Sequence, residues 1–231
     1  MSYNTNMTRL NKYLALALGW SRRQADDAIA AGRVIVDDTP AILGAQYQQG
    51  SHIVVDGYLV SSHTAYQTIT LNKPTGYLCS RASQGGVPTI YTLLPPKFHH
   101  LKPVGRLDKD SSGLILLTND GDFAHQMTHP SFYKIKRYLV TLNQPLQPLH
   151  RQMINDFGVQ LPDGPSRLTL ERQHGDDDTR WIVEMSEGRN RQIRRTFAAL
   201  GYTVTKLHRT DFGSYTLGDI KRGEWREIIT N

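Results

Sequence analysis

The chain has 231 residues, of which 39% are apolar, 21% charged and 9% aromatic. This composition is typical of a folded protein and excludes disordered and collagen-like chains, and the length allows one large domain or two smaller ones. The apolar runs are only a few residues long and the N-terminus is polar, so we expect no membrane-spanning helix and no export signal. A single cysteine, Cys79, excludes an internal disulfide and a multi-cysteine zinc site and predicts a cytoplasmic location.

The charge is unevenly distributed along the chain. There are 27 Lys and Arg against 21 Asp and Glu, a net charge of +6, which suggests a polyanionic partner. Residues 1–62 contain five basic and five acidic side chains, so the whole excess lies in the remainder. Residues 187–209 alone contain six basic residues and one acidic residue. We therefore expect a strongly basic segment in the second part of the chain.

The first 60 residues predict two helices followed by strands. Apolar spacing predicts a helix over residues 8–18, and a second helix begins at Ser21, which with Gln24 forms a capping box, and ends at Gly32. Three short strands follow, with a turn at Asp56-Gly57 before the last. The predicted strands are residues 34–36, 53–55 and 58–60.

A polar stretch over residues 61–64 reads as a linker, so we place the domain boundary after residue 62. The basic residues of the first unit are Arg9, Lys12, Arg22, Arg23 and Arg33. An ordinary solvated helix face is one interpretation of them. The order and spacing of segments 9–15, 21–25 and 31–36, however, resemble the S-four type (alpha-L) RNA-binding module. The resemblance covers residues 7–62 and implies that these five residues bind structured RNA through its shape and phosphates.

The second part opens with a strand over residues 68–71 and a loop that Pro74 and Gly76 make rigid. This loop would present Lys73 to solvent. A simple turn at the end of a strand is one interpretation of the segment. Contact between Lys73 and RNA is the other.

An acidic loop precedes a buried strand at residues 114–117. Its spacing invites a calcium-binding interpretation, but the twelfth loop position is Asn119 instead of the bidentate Glu that an EF-hand requires. A plain turn does not explain why Asp108 lies beside Arg106 in front of an apolar strand. A carboxylate near a guanidinium stays ionised, which suits a nucleophile, a general base or a structural ion pair.

The basic segment near residue 190 is predicted to form a helix that ends at Gly201. At about 100° per residue, one face is apolar and the opposite face carries guanidinium groups. The apolar residues are Ile193, Phe197 and Leu200, and the basic ones are Arg191, Arg194 and Arg195. Phosphate contacts, a carboxylate clamp or a solvated surface would each account for this row.

Several other catalytic classes lack their motifs. The chain has no Gly-Lys dipeptide for a P-loop and no Gly-x-Ser-x-Gly elbow for a serine hydrolase. His125 and His129 are four residues apart, but they lack the Glu of a metalloprotease helix and any Cys partner. We therefore expect no metal site.

Together with Tyr138, the three segments around Lys73, Asp108 and Arg194 resemble ribosomal RNA pseudouridine synthases that carry an N-terminal S-four type module. The most specific signature is Gly-Arg-Leu-Asp over residues 105–108 followed by Ser-x-Gly-Leu over residues 111–114. The resemblance implies an α+β fold, in which the small module precedes a catalytic domain, residues 63–231, with a mixed, largely antiparallel sheet and a central cleft. It also implies isomerisation of uridine to pseudouridine without a cofactor or metal.

The resemblance also assigns roles to individual residues. Asp108 matches the essential aspartate, Tyr138 the tyrosine stacked on the target base, and Arg194 the basic residue paired with the aspartate. Ile193 and Arg106 are expected in the pocket, and the remaining basic residues expected to bind RNA are Arg189, Arg191 and Arg195. Asp108 could attack the anomeric carbon of the ribose or remove a proton from the neighbouring carbon, and the resemblance leaves both open. Without the family resemblance, Tyr138 could equally be an ordinary aromatic residue of a strand.

The expected partner is ribosomal RNA or a ribosomal assembly intermediate, bound by a monomer. Segments 158–165 and 188–192 look closer to large-subunit enzymes than to small-subunit ones, so we predict a large-subunit target. A small-subunit target and a non-catalytic RNA-binding assembly factor remain alternatives.

Overall fold

The computed structural model describes residues 7–48, 50–61, 65–173, 175 and 177–228. The chain divides into two compact units, Met1–Tyr66 and Gln67–Asn231. The division therefore lies slightly after the predicted boundary at residue 62. Residues 62–64 of the predicted linker are outside the described residues.

The described residues of the first unit form two helices and six short strands. They are β1 (Thr8–Arg9), α1 (Leu10–Ala17), α2 (Arg22–Ala30), β2 (Val34–Val36), β3 (Thr39–Pro40), β4 (Gln46–Tyr47), β5 (Ile53–Val55) and β6 (Tyr58–Leu59). The sheet order β3-β2-β5-β6 is antiparallel throughout, and β1 pairs with β4. The core of this unit contains the side chains of Leu10, Leu14, Ala25, Ala28, Ile29, Val34, Ile53 and Val55.

The predicted ends of α2 are confirmed, whereas the predicted start of α1 is wrong. The capping box between Ser21 and Gln24 is present, and Gly32 adopts φ +69° just after the helix. Helix α1 begins at Leu10 instead of residue 8, because Thr8 and Arg9 pair as a strand with β4. Strands β3 and β4 are too short to leave a periodic signal in the sequence.

In the second unit, the part of the chain that the structure describes forms eleven strands and three α-helices. In chain order they are β7 (Thr68–Lys73), β8 (Lys102–Val104), β9 (Ser112–Thr118), α3 (Gly121–Thr128), β10 (Lys136–Leu142), α4 (Pro148–Gln152), β11 (Val159–Leu161), β12 (Gly164–Ser166), β13 (Thr169–Arg172), β14 (Arg180–Met185), α5 (Gln192–Ala198), β15 (Val204–Phe212), β16 (Tyr215–Thr216) and β17 (Trp225–Ile228). Short 3-10 turns occur at Ile90–Leu93, Pro96–Phe98 and Pro130–Phe132, and a π turn occurs at Met153–Phe157.

Nine of these strands form one mixed sheet with the order β13-β14-β10-β15-β9-β7-β17, in which β16 pairs with β15 and β8 with β9. Within the described residues of this sheet, β15 and β9 pair in parallel and the other strand pairings are antiparallel. The predicted mixed, largely antiparallel sheet is thus confirmed. No helix among the described residues is long and apolar enough to cross a membrane.

Strand β9 is covered on both faces. Leu114 and Leu116 belong to one cluster of buried side chains, whereas Ile115 and Leu117 belong to the other. A continuous apolar run therefore replaces the alternation that a half-exposed strand would show. The loop that leads into β9 is consequently attached to a strand that is buried at every residue.

Gly113 permits the close parallel approach of β9 and β15. It adopts φ +105°, and a Cβ atom at this position would lie 2.2 Å from the backbone oxygen of Arg209. No side chain fits at that distance, so the strands would have to separate. The position at which Gly113 meets Arg209 is therefore fixed by backbone geometry.

We predict that Gly113→Ala lowers the free energy of unfolding by more than about 3 kcal/mol, because the new methyl group collides with rigid backbone. Gly121→Ala is the matched control, since nothing lies within 4 Å of its would-be Cβ. Urea unfolding of both variants measures the effect. Equal midpoints for the two would contradict the assigned contact.

Candidate active site

A cleft of about 1010 Å³ lies within the second unit. Its walls come from the loop before β9, from strands β10 and β15, and from the segment that leads into α5. Sequence-predicted residues on its walls are Arg106, Asp108, Tyr138, Arg189, Arg191 and Ile193. Residues separated by more than 80 positions along the chain are thereby brought to one site.

The loop over residues 105–111 is held from below by a buried lysine. Lys73, at the end of β7, is 0% exposed. Its Nζ donates to the backbone oxygens of Pro74 at 3.1 Å, Asp108 at 2.9 Å and Ser111 at 2.7 Å. These are charge-assisted bonds, which are stronger than neutral ones. They fix the loop backbone at Asp108 itself and at Ser111.

Two more hydrogen bonds restrain the same loop. The backbone N–H of Gly76 donates to the oxygen of Lys109 at 2.7 Å, and that of Leu107 donates to Cys79 Sγ at 3.4 Å. Burial raises the pKa of the Cys79 thiol, so it remains a neutral acceptor. The loop is thus bound to the turn after β7 at several points.

The prediction that Lys73 is presented to RNA is wrong. Strand β7 continues through Lys73, which pairs with Gly113 of β9 instead of lying in an exposed loop. Burial lowers the pKa of its ammonium group, and the nearby Asp108 and Asp110 carboxylates oppose this effect. Lys73 therefore supports the loop from within the protein.

Asp108 shares its arginine with a second carboxylate. Arg191 Nη1 lies 3.4 Å from Asp108 Oδ2 and 3.1 Å from Asp110 Oδ1, and its Nη2 lies 3.1 Å from Asp110 Oδ2. The hydrogen bond from Arg191 holds the pKa of Asp110 below its usual value, and the charge of Arg194 adds to this. Arg106, expected beside Asp108, makes no ion pair with it in the described part of the chain. The side chain of Asp108 is 32% exposed to the cleft.

Arg194 was predicted to pair with Asp108, and the structure corrects this. Its Nη1 donates to the oxygen of Val204 at 2.7 Å and its Nη2 to that of Asp110 at 2.9 Å, while Nε lies 3.4 Å from Asp110 Oδ2. No ion pair links Arg194 to Asp108 among the described residues. Arg194 therefore connects α5 to the Asp108 loop and to β15, and Arg191 contacts Asp108 instead.

The predicted row of arginines on one helix face is also wrong. Helix α5 starts only at Gln192, and Arg191 precedes it in the left-handed conformation with φ 47°. This backbone turn directs Arg191 toward the loop of Asp108 instead of along the helix. The predicted apolar face is correct, since Ile193 and Phe197 are 4% and 0% exposed. Gly201 ends the segment with φ +84°, also as predicted.

Two further arginines are engaged with the turn between β11 and β12. Arg195 forms a bidentate pair with Asp163 at 3.0 and 2.7 Å. Arg189 binds Glu187, the Asp163 carboxylate and three backbone oxygens of residues 163–165. The pKa of Asp163 is lowered, chiefly by Arg195. Both arginines, predicted to bind RNA, thus hold this turn against α5 in the structure.

Tyr138 lies on β10 and is 7% exposed. Lys136, Met185, Arg209 and Phe212 are among the residues of the same cleft that sequence reasoning missed. Lys136 Nζ donates to the backbone oxygens of Ser186 and Glu187 at 3.1 and 3.0 Å. Burial and the charge of Arg209 lower the pKa of Lys136 to about 8. Only the pairing of distant strands brings these residues together, and that pairing leaves no local signal.

The described residues contain no group of three His, Cys, Asp or Glu side chains that could hold a metal ion. The rings of His125 and His129 are tilted by 34° with centroids 4.8 Å apart, and His129 Nδ1 contacts Ser131 Oγ at 2.7 Å. These histidines therefore form a local cluster at the end of α3. The chemistry of the cleft consists of carboxylate, aromatic and cationic groups.

Comparison with known proteins gives a consistent result. Residues 67–199 match the RNA pseudouridylate synthase family. The ribosomal small subunit pseudouridine synthase A of Yersinia pestis is 36% identical over 224 residues, covering 96% of this chain and 95% of that protein. The ribosomal large subunit pseudouridine synthase B of Escherichia coli K12 is 36% identical over 236 residues, covering 95% of this chain and 79% of that protein.

A solved structure described as a pseudouridylate synthase has a TM-score of 0.68 and 34% identity, with 96% of both chains covered. The sheet, the acidic loop and the cleft are thus those of an RNA-modifying isomerase. The chain belongs to the RNA pseudouridylate synthase family. The resemblance inferred from residues 105–114 and Tyr138 is confirmed.

We predict that Lys73→Met lowers the free energy of unfolding by about 3 kcal/mol, because three buried carbonyl oxygens lose their donor. The salt dependence of RNA binding should not change, since the ammonium group does not reach solvent. Lys109→Met, at an exposed position of the same loop, is the control for stability. Urea unfolding and RNA titrations at several salt concentrations are the measurements. A smaller dependence of RNA affinity on salt concentration for Lys73→Met would show instead that Lys73 contacts RNA.

A second prediction compares two arginines. Arg194→Gln removes hydrogen bonds to Val204 and Asp110 from a side chain that is 12% exposed. We therefore expect the free energy of unfolding to fall by about 2 kcal/mol. Arg191→Gln removes contacts from a side chain that is 43% exposed, and we expect a loss below about 1 kcal/mol. Thermal and urea unfolding measure both. If Arg191→Gln lowered the free energy of unfolding more than Arg194→Gln does, Arg191 would be the residue that holds this region together.

Proposed function

We propose that the chain isomerises a uridine of ribosomal RNA to pseudouridine in the cleft that contains Asp108. The single observation that carries this proposal is the convergence of the Asp108 carboxylate and the Tyr138 ring on one cleft in a chain of this family. Relatives named for ribosomal small and large subunits support ribosomal RNA as the substrate.

The cleft can accept a nucleotide that has left its helical stack. A volume of about 1010 Å³ is at the upper end of typical small-ligand sites. A base must leave its stack before its glycosidic bond can be attacked, and an aromatic ring can replace the lost stacking. Tyr138 is proposed to provide that ring, and Ile193 lines the same cleft.

Asp108 is proposed to act on the ribose. Arg191 contacts Oδ2, whereas Oδ1 has no hydrogen-bond partner within the described residues. The bond between N1 and C1′ breaks and a bond between C5 and C1′ forms, while C5 loses a proton and N1 gains one. Asp108 would assist by bonding to C1′ or by taking a proton from C2′, and both routes remain open. The hydrogen bonds from Lys73 keep the loop in place during either route.

The first unit is proposed to be an S-four type module that adds affinity for RNA. Arg9 and Arg23 are exposed and have no hydrogen bond or ion pair within the described residues, and Arg22 donates to Asn11 at 3.1 Å. Arg33 is engaged with Asp56 through Nε at 2.7 Å, so it is less available for phosphate. Arg22 and Arg23 open α2, where backbone N–H groups also favour anions.

The identity of the target uridine remains a prediction. Relatives named for the small and for the large subunit are equally similar at 36% identity. We propose the large subunit on the basis of segments 158–165 and 188–192. We further propose that the protein acts as a monomer on rRNA or on an assembly intermediate.

We predict that Asp108→Asn abolishes isomerisation while the fold and the RNA affinity are retained, because the amide keeps its shape but cannot act as nucleophile or base. Tritium release from RNA labelled at C5 of uracil measures the reaction. Asp110→Asn is the control, since that carboxylate is already bound by Arg191, and it should retain measurable activity. Activity of Asp108→Asn above about 1% of wild type would overturn the proposal.

The role of the first unit is tested by Arg22→Gln combined with Arg23→Gln. Each lost phosphate contact should reduce the log-log salt slope of RNA binding by roughly 0.7 to 0.9, with little change in the rate at saturating RNA. The control combines Arg180→Gln with Arg226→Gln, two exposed arginines that already pair with carboxylates. An unchanged slope in the first variant would show that α2 does not contact phosphate.

A further inference from the structure

Arg209 is a buried cation that the mechanism above does not use. It lies on β15, is 2% exposed and lines the cleft. Its Nε donates to the backbone oxygen of Leu114 at 2.8 Å, and its guanidinium carbon lies 4.9 Å from the centre of the Phe212 ring. Its Nη2 is buried without a hydrogen-bond partner, and no carboxylate among the described residues forms an ion pair with it.

A buried charge without an ion pair lowers the stability of the folded protein. Arginine does not lose its proton in proteins, so Arg209 cannot escape the cost of burial by becoming neutral. A buried group with an unsatisfied donor is expensive unless something else binds to it. Lys136, a second cation on the cleft wall, also has no ion pair in the described part of the chain. Neither cation is therefore balanced by an ion pair within the described residues.

The strand register places this charge beside the proposed stacking residue. Tyr138 of β10 is directly opposite Arg209 of β15, and Lys136 is opposite Phe212. A register shift between these two pairs leaves Thr210 without a partner on β10. Because of this bulge, Arg209 and Phe212 reach the same cleft although they are three residues apart. Side chains directly opposite across antiparallel strands have Cβ atoms about 4.5–5.5 Å apart.

We propose that Arg209 stabilises the negative charge that uracil carries after its glycosidic bond is broken. This inference rests on the proposed function. When the bond between N1 and C1′ breaks, its electron pair remains on the base, and the charge spreads over the ring nitrogens and the oxygens O2 and O4. The charge disappears once C5 has bonded to C1′, C5 has released its proton and N1 has taken one up.

A fixed guanidinium suits this role. Arg209 does not release its proton, so it cannot protonate the uracil anion before C5 has bonded to C1′. The bond to Leu114 and the close approach of Gly113 hold its backbone and side chain before the substrate arrives. Preorganised donors aimed at developing charge act in a site from which water is largely excluded. Tyr138 would hold the base by stacking, and Arg209 would act on its charge.

The experiment compares uridine with 5-fluorouridine in transcripts of small-subunit and large-subunit rRNA. Fluorine withdraws electrons and makes the base anion more stable, so cleavage of its glycosidic bond should depend less on Arg209. With the fluorinated base, water adds at C6, because fluorine blocks proton loss from C5, and a carbon-linked product still forms. Both products are quantified as nucleosides after complete digestion of the RNA, under single-turnover conditions at saturating RNA.

We expect Arg209→Met to lower the rate on uridine RNA by about 10²-fold, and to lower the rate on 5-fluorouridine RNA at least tenfold less. RNA affinity should not change, and Arg209→Lys should recover part of the rate. The ratio of the two rates is independent of the fraction of folded enzyme, because both RNAs are tested on one preparation. Arg137→Gln, on the neighbouring strand and bound to surface carboxylates, is the matched control and should behave as wild type.

Equal losses on both RNAs would overturn the inference and assign Arg209 a purely structural role. If Arg209→Met is inactive on both, the same ratio is taken for Arg209→Lys, and equal losses there have the same meaning. Failure of the proposed function has a different signature. In that case the wild-type chain itself forms no pseudouridine in either transcript.

Discussion

The three hydrogen bonds from the Lys73 ammonium determine where the Asp108 carboxylate can be. The lysine is at the end of a central strand and has no access to solvent, so its charge is satisfied only if the loop before β9 folds back over it. Arg191 and Arg194 bind the same loop through Asp110. Lys73 and these two arginines together thus define the position of Asp108. The cleft is formed around this point.

Much of the fold was accessible from local patterns. The capping box at Ser21, the glycine at the end of α2 and the apolar run of β9 each reflect forces that act over a few residues. The loop around Asp108 was singled out by the family resemblance of residues 105–108 and 111–114, although Arg106 makes no ion pair with Asp108 within the described residues. These features depend on residue types and their spacing, and both are visible in a sequence.

The partners of the basic residues were not accessible in this way. Lys73, Arg189 and Arg195 were assigned to RNA because they are cationic, yet the fold pairs each with oxygens brought from elsewhere in the chain. The choice between Arg191 and Arg194 as the partner of Asp108 depended on a single left-handed residue before α5. The number of cationic side chains therefore overstates the cationic surface, since Lys73 is buried and Arg189 and Arg195 are paired with Asp163.

The bulge at Thr210 also affects how the sequence of this strand can vary. An extra residue in one strand reverses the side-chain alternation beyond it, so the cleft receives Arg209 and Phe212 from positions of opposite parity. Deletion of that one residue would move Phe212 to the other face of the sheet while leaving its identity intact. Aligned chains in which the residues match but the bulge is absent would consequently present different cleft walls. Strand length here carries chemical information that residue identity alone does not.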